Sequence, residues 1–195
     1  MRVLVVHCHP VPESFNTALR EAVLAGLAKA GHEIDLLDLH ASGFSPTMDA
    51  MERRRYHEPG ANLVPVAEHV ARLKRADALV FVFPTWWYGP PAMLKGWLDR
   101  VLIPHETFGM RTGIRRLERK LTNIRLIAAV TTLGSPWWWW RWIGQPGRRI
   151  LLDGVGGITH PRARRVWLAL HSMDSASDKR RAAFLRKVEA RFADL

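Results

Sequence analysis

Short apolar runs alternate with amphipathic segments along the 195-residue chain. Five of these runs are short, apolar and rich in β-branched residues, a pattern typical of buried strands. They cover residues 3–6, 34–39, 76–83, 123–132 and 165–171. The segments between them repeat their apolar positions with the helical period. This alternation predicts an α/β fold with a parallel sheet covered by helices on both faces.

The amphipathic segments predict four helices, with Ser14 as N-cap of the first and Gly31 just beyond its end. These helices cover residues 14–30, 63–75, 91–103 and 177–192, and the last turns Phe184, Leu185, Val188 and Phe192 inward. Residues 41–60 predict a long, partly ordered excursion, and residues 105–121 a loop with a basic segment. Residues 133–149 hold a four-tryptophan run and lead into a helix toward Leu152, and residues 154–157 predict a break.

The strand spacing predicts one domain over residues 1–195, because no repeat or linker divides the chain. Five strands so spaced favour the doubly wound order 2-1-3-4-5. Ligands of such sheets bind at the carboxyl ends of the strands, here near the first, third and fourth. The three most distinctive motifs of the chain follow those strands.

Charge and composition narrow the function classes. The net charge is +11, but the basic residues are dispersed and match no nucleic-acid module, so solvated basic faces are favoured and no nucleic-acid partner is expected. The single cysteine, Cys8, excludes an internal disulfide. No secretory signal or long apolar run is visible, which predicts a cytoplasmic protein. Histidines and cysteines lack metal-ligand spacing, so no metal site is expected.

The first motif joins the first strand to the first helix. Free N–H groups at a helix start attract phosphate, and Ser14, Asn16 and Thr17 add side-chain donors. His9 adds a further donor beside such an anion. Neither a P-loop nor a G-x-G-x-x-G fingerprint is present. Ordinary helix capping by Ser14 is the alternative for this motif taken alone.

The second motif follows the third strand and holds two prolines, a glycine and three consecutive aromatics. The backbone amides from Thr85 to Tyr88 suit the polar edge of a flavin, and Trp87 or Tyr88 its flat face. Three adjacent large aromatics cannot all enter one core, so the turn favours a ligand. Trp97, on the following helix, is expected in the core.

The third motif, residues 131–135, ends the fourth strand. Its hydroxyls and free amides suit a ribityl chain or a pyrimidine edge, and an ordinary strand-ending turn is the alternative.

Together, residues 14–16, the turn 84–89, the helix start 91–97 and the Thr131-Thr132 strand end resemble the flavodoxin-like NAD(P)H:quinone oxidoreductases. The resemblance covers roughly residues 1–150 in motif order and the last strand and helix in pattern only. That family includes the mammalian quinone reductase, bacterial drug-activity modulators and ancillary subunits of potassium-efflux systems.

The resemblance implies a non-covalently bound FAD or FMN, NAD(P)H as hydride donor, a quinone-like acceptor and a homodimer with the site at the subunit interface. Two of the family's flavin segments are matched by residues 84–88 and 131–134. The residues that match its cofactor positions are His9, Ser14, Phe15, Asn16, Thr17, Pro84, Thr85, Trp86, Trp87, Tyr88, Thr131, Thr132, Leu133 and Gly134. The alternative role is a flavin-binding regulatory subunit of a potassium-efflux system.

The chain departs from the family pattern at two places. Leu133 replaces the first glycine of a Thr-Thr-Gly-Gly loop, which predicts a narrower flavin-side space. The tyrosine and histidine that stabilise charge on the reduced flavin in the mammalian enzyme are missing, and Gln145 and Arg141 are the candidates to replace them. No catalytic residue is therefore assigned.

The tryptophan run 137–140 has three interpretations: a roof over the flavin, a dimer seam, or contact with a membrane surface aided by nearby arginines. Roof and seam are favoured. A transporter is a further possible partner, and a polyanion-binding protein is the third hypothesis for function, driven by charge alone.

Overall fold

The computed structural model describes residues 1–110 and 117–195. Within them, five strands form one parallel sheet in the order β2-β1-β3-β4-β5, which confirms the predicted order. The strands are β1 (Arg2–His7), β2 (Glu33–Asp38), β3 (Ala78–Pro84), β4 (Leu126–Thr132) and β5 (Arg164–Leu170). A separate antiparallel pair joins Phe108–Gly109 to Glu118–Arg119. The predicted basic residues Arg111, Arg115 and Arg116 lie outside the described residues.

Helices connect the strands and cover the sheet. They are α1 (Phe15–Lys29), α2 (Ala50–Arg55), α3 (Ala67–Arg75), α4 (Ala92–Val101), α5 (Trp137–Trp142), α6 (Pro146–Arg148) and α7 (Asp178–Ala193). Ser14 caps α1 as predicted, because its hydroxyl accepts a hydrogen bond from the Thr17 amide at 3.2 Å. Gly31 follows the helix with a φ of 69°, the left-handed conformation that glycine adopts at low cost.

The two faces of the sheet build two apolar layers. Leu4 and Phe81 belong to one buried cluster, together with Trp97 of α4. The adjacent strand residues Val5 and Val80 point the other way, into a second cluster that includes Leu27, Val188 and Phe192 of α1 and α7. Successive strand residues therefore serve opposite layers, and β3, at the centre, is buried along its whole length.

The excursion after β2 contains helix α2, which the sequence analysis did not predict. Its N-cap is Asp49, whose carboxylate accepts a hydrogen bond from the Glu52 amide at 2.7 Å. The Arg100 guanidinium of α4 forms an ion pair with the Glu52 carboxylate at 2.8 Å, and this pair links α2 of the excursion to α4. The Asp49-x-x-Glu52 pair is the sequence signal of a helix start that would have revealed α2.

The region after β4 also differs from the prediction. The tryptophan run is itself a helix, α5, and the chain turns at Gly144 and Gln145, whose φ angles are 86° and 57°. Helical structure then resumes through α6, a π-helix (Arg149–Gly154) and a 3-10 helix (Val155–Ile158). The predicted break at residues 154–157 is therefore wrong. A Cβ at Gly156 would lie 3.2 Å from the Arg165 guanidinium, so this glycine serves close packing.

Candidate functional site

The three predicted segments lie together at the carboxyl edge of the sheet. The His9 ring, after β1, lies 6.3 Å from the Trp86 ring, after β3. The Thr85 amide donates to the Thr132 carbonyl at 2.9 Å, which joins the β3 and β4 segments. Parallel strands end at one edge, and this edge gathers residues from three distant parts of the sequence around two cavities.

Asn16, in the first turn of α1, is the most unusual of these residues. It is only 3% exposed, and neither its amide nitrogen nor its amide oxygen has a hydrogen-bond partner among the described residues. Buried polar groups are nearly always bonded, so an orphaned amide calls for a partner from outside the chain. The first N–H groups of α1, at Phe15 and Asn16, also lack intrahelical partners. The arrangement fits a phosphate or a similar polar group.

Some neighbours of Asn16 cap helix α1, and others leave atoms available to bind a ligand. The Ser14 hydroxyl is occupied by the Thr17 amide and lies 3.1 Å from the Thr17 hydroxyl. Phe15 packs its ring against the apolar layer of α1, which leaves its backbone for the site. The half-buried His9 uses its Nδ1 within the loop, 3.0 Å from the Val11 amide nitrogen and 3.1 Å from the Val11 carbonyl oxygen, which leaves Nε2 available for a ligand.

A cavity of about 370 Å³ lies beside this segment. Its walls include a polar cluster that the sequence analysis missed, in which His7 is buried and its two partners are partly buried. His7 Nδ1 lies 2.8 Å from Asp38 Oδ2, and Arg20 Nη1 lies 3.1 Å from the same oxygen. The signal was a histidine and an aspartate at the ends of two apolar strands. Cys8, next to it, is not a candidate nucleophile, because burial raises the pKa of its thiol to about 12.

Two opposing pKa shifts characterise the cluster. Burial lowers the pKa of His7 and outweighs the hydrogen bond to Asp38. Burial opposes ionisation of Asp38, but hydrogen bonds from the Ala41 amide, His7 and the His40 amide hold the pKa of that carboxyl below its usual range. A neutral histidine beside an ionised carboxylate is therefore the state at neutral pH.

Acid should destabilise the protein through His7. Below about pH 6.5 the unfolded chain protonates this histidine while the folded chain does not, so stability falls as pH falls toward the lowered pKa. In His7→Leu we expect a smaller loss of stability between pH 7 and pH 5, by on the order of 1 kcal/mol. Urea unfolding at the two pH values measures it, with exposed His57→Gln as control. An unchanged pH slope in His7→Leu would contradict the assignment.

The aromatic turn after β3 has a strained backbone. Trp86 and Gly89 exchange both backbone hydrogen bonds at 3.1 Å, which makes Trp87 and Tyr88 the central residues of a tight two-residue turn. Both have positive φ, 46° and 64°, a conformation normally filled by Asn-Gly. The Trp87 side chain is 94% exposed, so no packing of the chain itself explains its presence. Strained residues of this kind concentrate at binding sites.

The amides of this turn are not equally available. Thr85 and Trp86 donate theirs within the protein, to Thr132 and Gly89. The expectation of free amides from Thr85 to Tyr88 is therefore wrong for the first two, because the strand pairing and the turn use them. The Trp87 and Tyr88 amides have no partner among the described residues. Tyr88 is fixed by Trp139 Nε1, which donates to its hydroxyl at 3.0 Å.

Trp87→Gly should stabilise the protein without ligand. Glycine adopts positive φ freely, so we expect a gain of about 1 kcal/mol in the free energy of unfolding. The matched control is Trp138→Gly, another exposed tryptophan that lies within helix α5, where glycine should cost about 1 kcal/mol. Urea unfolding of the two variants should give changes of opposite sign. A loss of stability in both would show that the turn is not strained.

The third segment completes a cavity of about 220 Å³ with the aromatic turn. Its walls are formed by Thr85, Trp87, Tyr88, Leu133, Gly134 and Ser135. Leu133, which stands in place of a glycine, belongs to this wall but is only 2% exposed, so the expected narrowing of the flavin-side space stays a prediction. A Cβ at Gly134 would lie 2.6 Å from the Asp174 carboxylate, so a larger residue does not fit there without a shift.

The remaining predicted residues have structural positions. Pro84 is buried at the end of β3, and Thr132 ends β4. The Thr131 hydroxyl is buried 2.8 Å from the Thr85 hydroxyl and holds the two strand ends together. Arg141 and Gln145, the candidates for charge stabilisation, line another cavity, of about 300 Å³. The structure does not bring them to the wall formed by Trp87 and Leu133.

Comparisons with known proteins agree with this architecture. Residues 1–150 match the family model described as "Flavodoxin-like fold". NAD(P)H dehydrogenase [quinone] 1 of Rattus norvegicus is 29% identical over 150 residues, which are 69% of this chain and 54% of the rat protein. The chain thus spans little more than half the length of that relative.

Two solved structures superpose over the full chain. Smu.1420 of Streptococcus mutans has a TM-score of 0.84 at 28% identity, with all of both chains covered. The NAD(P)H:quinone oxidoreductase of Methanothermobacter marburgensis has a TM-score of 0.81 at 26% identity, with all of this chain and 96% of that one covered. These likenesses confirm the resemblance drawn from the motifs: the chain belongs to the flavodoxin-like fold family, beside proteins named as NAD(P)H:quinone oxidoreductases.

Proposed function

We propose that this protein is a flavin-dependent NAD(P)H:quinone oxidoreductase of one domain. The observation that carries the proposal is the orphaned amide of Asn16, buried at the start of α1 at the edge where the aromatic turn and the Leu133 segment meet. A flavin nucleotide supplies the groups that such an edge lacks: a phosphate for the helix start and a flat ring for the aromatic cleft. The names of the two oxidoreductase relatives support the same reaction class.

Each segment has a separate task in this proposal. The α1 amides, Asn16, Thr17 and His9 would hold the phosphate. The Trp87 and Tyr88 amides would bind the polar rim of the ring, and the Trp87 side chain and the Leu133 segment would confine its faces. When bound, the flavin would supply the hydride chemistry between NAD(P)H and a quinone. The chain's own residues orient the ring and exclude water from it.

Substrate exchange is the next part of the proposal. We infer that NAD(P)H and the quinone use the same face of the bound ring in turn, which gives ping-pong kinetics. The choice between NADH and NADPH is left open, and the arginines of α2, Arg53, Arg54 and Arg55, lean toward the extra phosphate of NADPH. A cytoplasmic homodimer is part of the proposal.

An absorbance spectrum of the purified protein is the first test. We expect a flavin spectrum, or one gained on incubation with FAD or FMN, that bleaches on anaerobic addition of NADPH and returns on addition of a quinone. Chromatography of the released chromophore identifies FAD or FMN. Absence of any chromophore after incubation would reject the proposal. A bound flavin with negligible NAD(P)H oxidation across a quinone panel would favour the regulatory role instead.

A further inference from the structure

Helix α5 carries an exposed aromatic face, formed by Trp137, Trp138 and Trp142. These side chains are 62%, 58% and 74% exposed, whereas Trp140 of the same helix is buried and stacks on Trp167 at 5.4 Å. Trp140, through this stacking, and Trp139, through a hydrogen bond to the Tyr88 hydroxyl, anchor α5. Monomeric proteins rarely expose contiguous apolar patches beyond a few hundred Å², and larger ones mark interaction sites. The exposed tryptophans of the α5 face therefore indicate an interaction site.

Arginines adjoin the α5 face. Arg141 lies within α5, and Arg148 and Arg149 follow at the next helical segment, where the three surround a cavity of about 300 Å³. Within residues 1–110 and 117–195, the side chains of Arg141 and Arg149 form no hydrogen bond or ion pair, and Arg148 lies 3.9 Å from Asp153. The patch therefore combines tryptophan with uncompensated positive charge.

The combination of exposed tryptophans and positive charge indicates which kind of partner binds the α5 face. A second copy of the chain carries the same net charge of +11, so its surface on average repels the arginines beside the α5 face. An anionic lipid surface has the opposite charge, and tryptophan prefers the boundary between headgroups and hydrocarbon. The net charge of +11 acts in the same direction at longer range. Charge complementarity thus favours lipid over self-association.

The α5 face adjoins the proposed active site. Ser135, two residues before the helix, lines the cavity next to Trp87, and Trp139 of α5 donates to the Tyr88 hydroxyl. We propose that the α5 face docks the protein on anionic membrane surfaces, where it reduces a lipid-soluble quinone dissolved in the bilayer. Among the described residues, no helix has the length and apolar content to span a membrane. The membrane docking does not depend on the proposed function. Only the choice of a lipid-soluble quinone as electron acceptor rests on the proposed function.

Vesicle cosedimentation tests the docking. With phosphatidylcholine vesicles that contain phosphatidylglycerol we expect binding at least about tenfold tighter than with phosphatidylcholine alone, weakened by salt. Trp137→Ser/Trp138→Ser/Trp142→Ser should lose binding to both vesicle types. Met51→Ser/Val64→Ser, which removes exposed apolar side chains elsewhere, should bind like the parent. Arg141→Gln/Arg149→Gln, which leaves the aromatic face intact, should lose mainly the preference for anionic lipid.

Several outcomes would overturn the inference. The first is no binding to either type of vesicle, and the second is equal binding to both types. The third is that the triple tryptophan variant still binds vesicles but sediments as a monomer where the parent sediments as a dimer. Flavin content and reduction of a water-soluble quinone, measured on the same samples, test the proposed function separately. In the triple variant, the rate on a vesicle-embedded quinone divided by the rate on the water-soluble quinone should fall at least about tenfold below the parent's ratio. An unchanged ratio would reject the acceptor.

Discussion

Replacing Asn16 with leucine is expected to weaken flavin binding by about tenfold to hundredfold, the worth of a hydrogen bond to a charged group. The same change should leave the free energy of unfolding of the flavin-free protein within about 1 kcal/mol of the parent, or raise it. The reason is that the Asn16 side chain is buried without any partner among the described residues, so the substitution breaks no bond within the chain. Flavin titration by fluorescence quenching and urea unfolding measure the two effects.

Asn62 provides the matched control, because it is equally buried but its amide nitrogen is bonded. Its Nδ2 donates to the carbonyls of Tyr56 and Pro104, at 3.1 and 2.9 Å, and only its Oδ1 lacks a partner among the described residues. Asn62→Leu should therefore lose about 2–3 kcal/mol of stability and keep the parent's flavin affinity. If Asn16→Leu instead destabilised the protein as Asn62→Leu does and bound flavin normally, Asn16 would be a structural residue.

The sheet was predictable from the sequence because each of its strands is encoded by a short, continuous segment. Each strand is a compact apolar run such as residues 78–83, and a parallel order follows from helices placed between the runs. The convergence of His9, Trp86 and Thr132 was also predictable, since the order of the strands fixes which carboxyl ends are neighbours. The motif positions and the fold thus support each other.

Other features depend on distances that a sequence does not contain. The use of the Thr85 and Trp86 amides within the protein follows from the pairing of Thr85 with Thr132 and from the tight Trp86–Gly89 turn. The Asp38 cluster depends on Arg20 reaching across from α1 to the end of β2. The glycines at residues 154–157 resemble a break in the sequence, yet they lie in a π-helix and a 3-10 helix, and Gly156 packs close to the Arg165 side chain of the distant strand β5.

The tryptophans show where sequence reasoning stops. Trp97, Trp140 and Trp142 have the same side chain, yet two are buried and one is 74% exposed. Helical periodicity places Trp97 in the core, because its apolar neighbours recur on the same face. In a run of four tryptophans every face of the helix is apolar, so periodicity cannot select the inward residue. Contact with Trp167 of β5 makes that selection for Trp140.

Trp97→Ala should cost about 3–5 kcal/mol of folding free energy, the usual loss for a large aromatic removed from a core. The Trp97 side chain is fully buried, its ring lies 6.3 Å from that of Phe81, and its Nε1 donates to His69 Nδ1 at 3.3 Å. Alanine leaves a cavity against β3 and an unpartnered imidazole nitrogen. Trp142→Ala, on the exposed α5 face, should change stability by less than about 0.5 kcal/mol. Urea unfolding at neutral pH measures both, and equal losses in the two variants would refute the division between core and docking tryptophans.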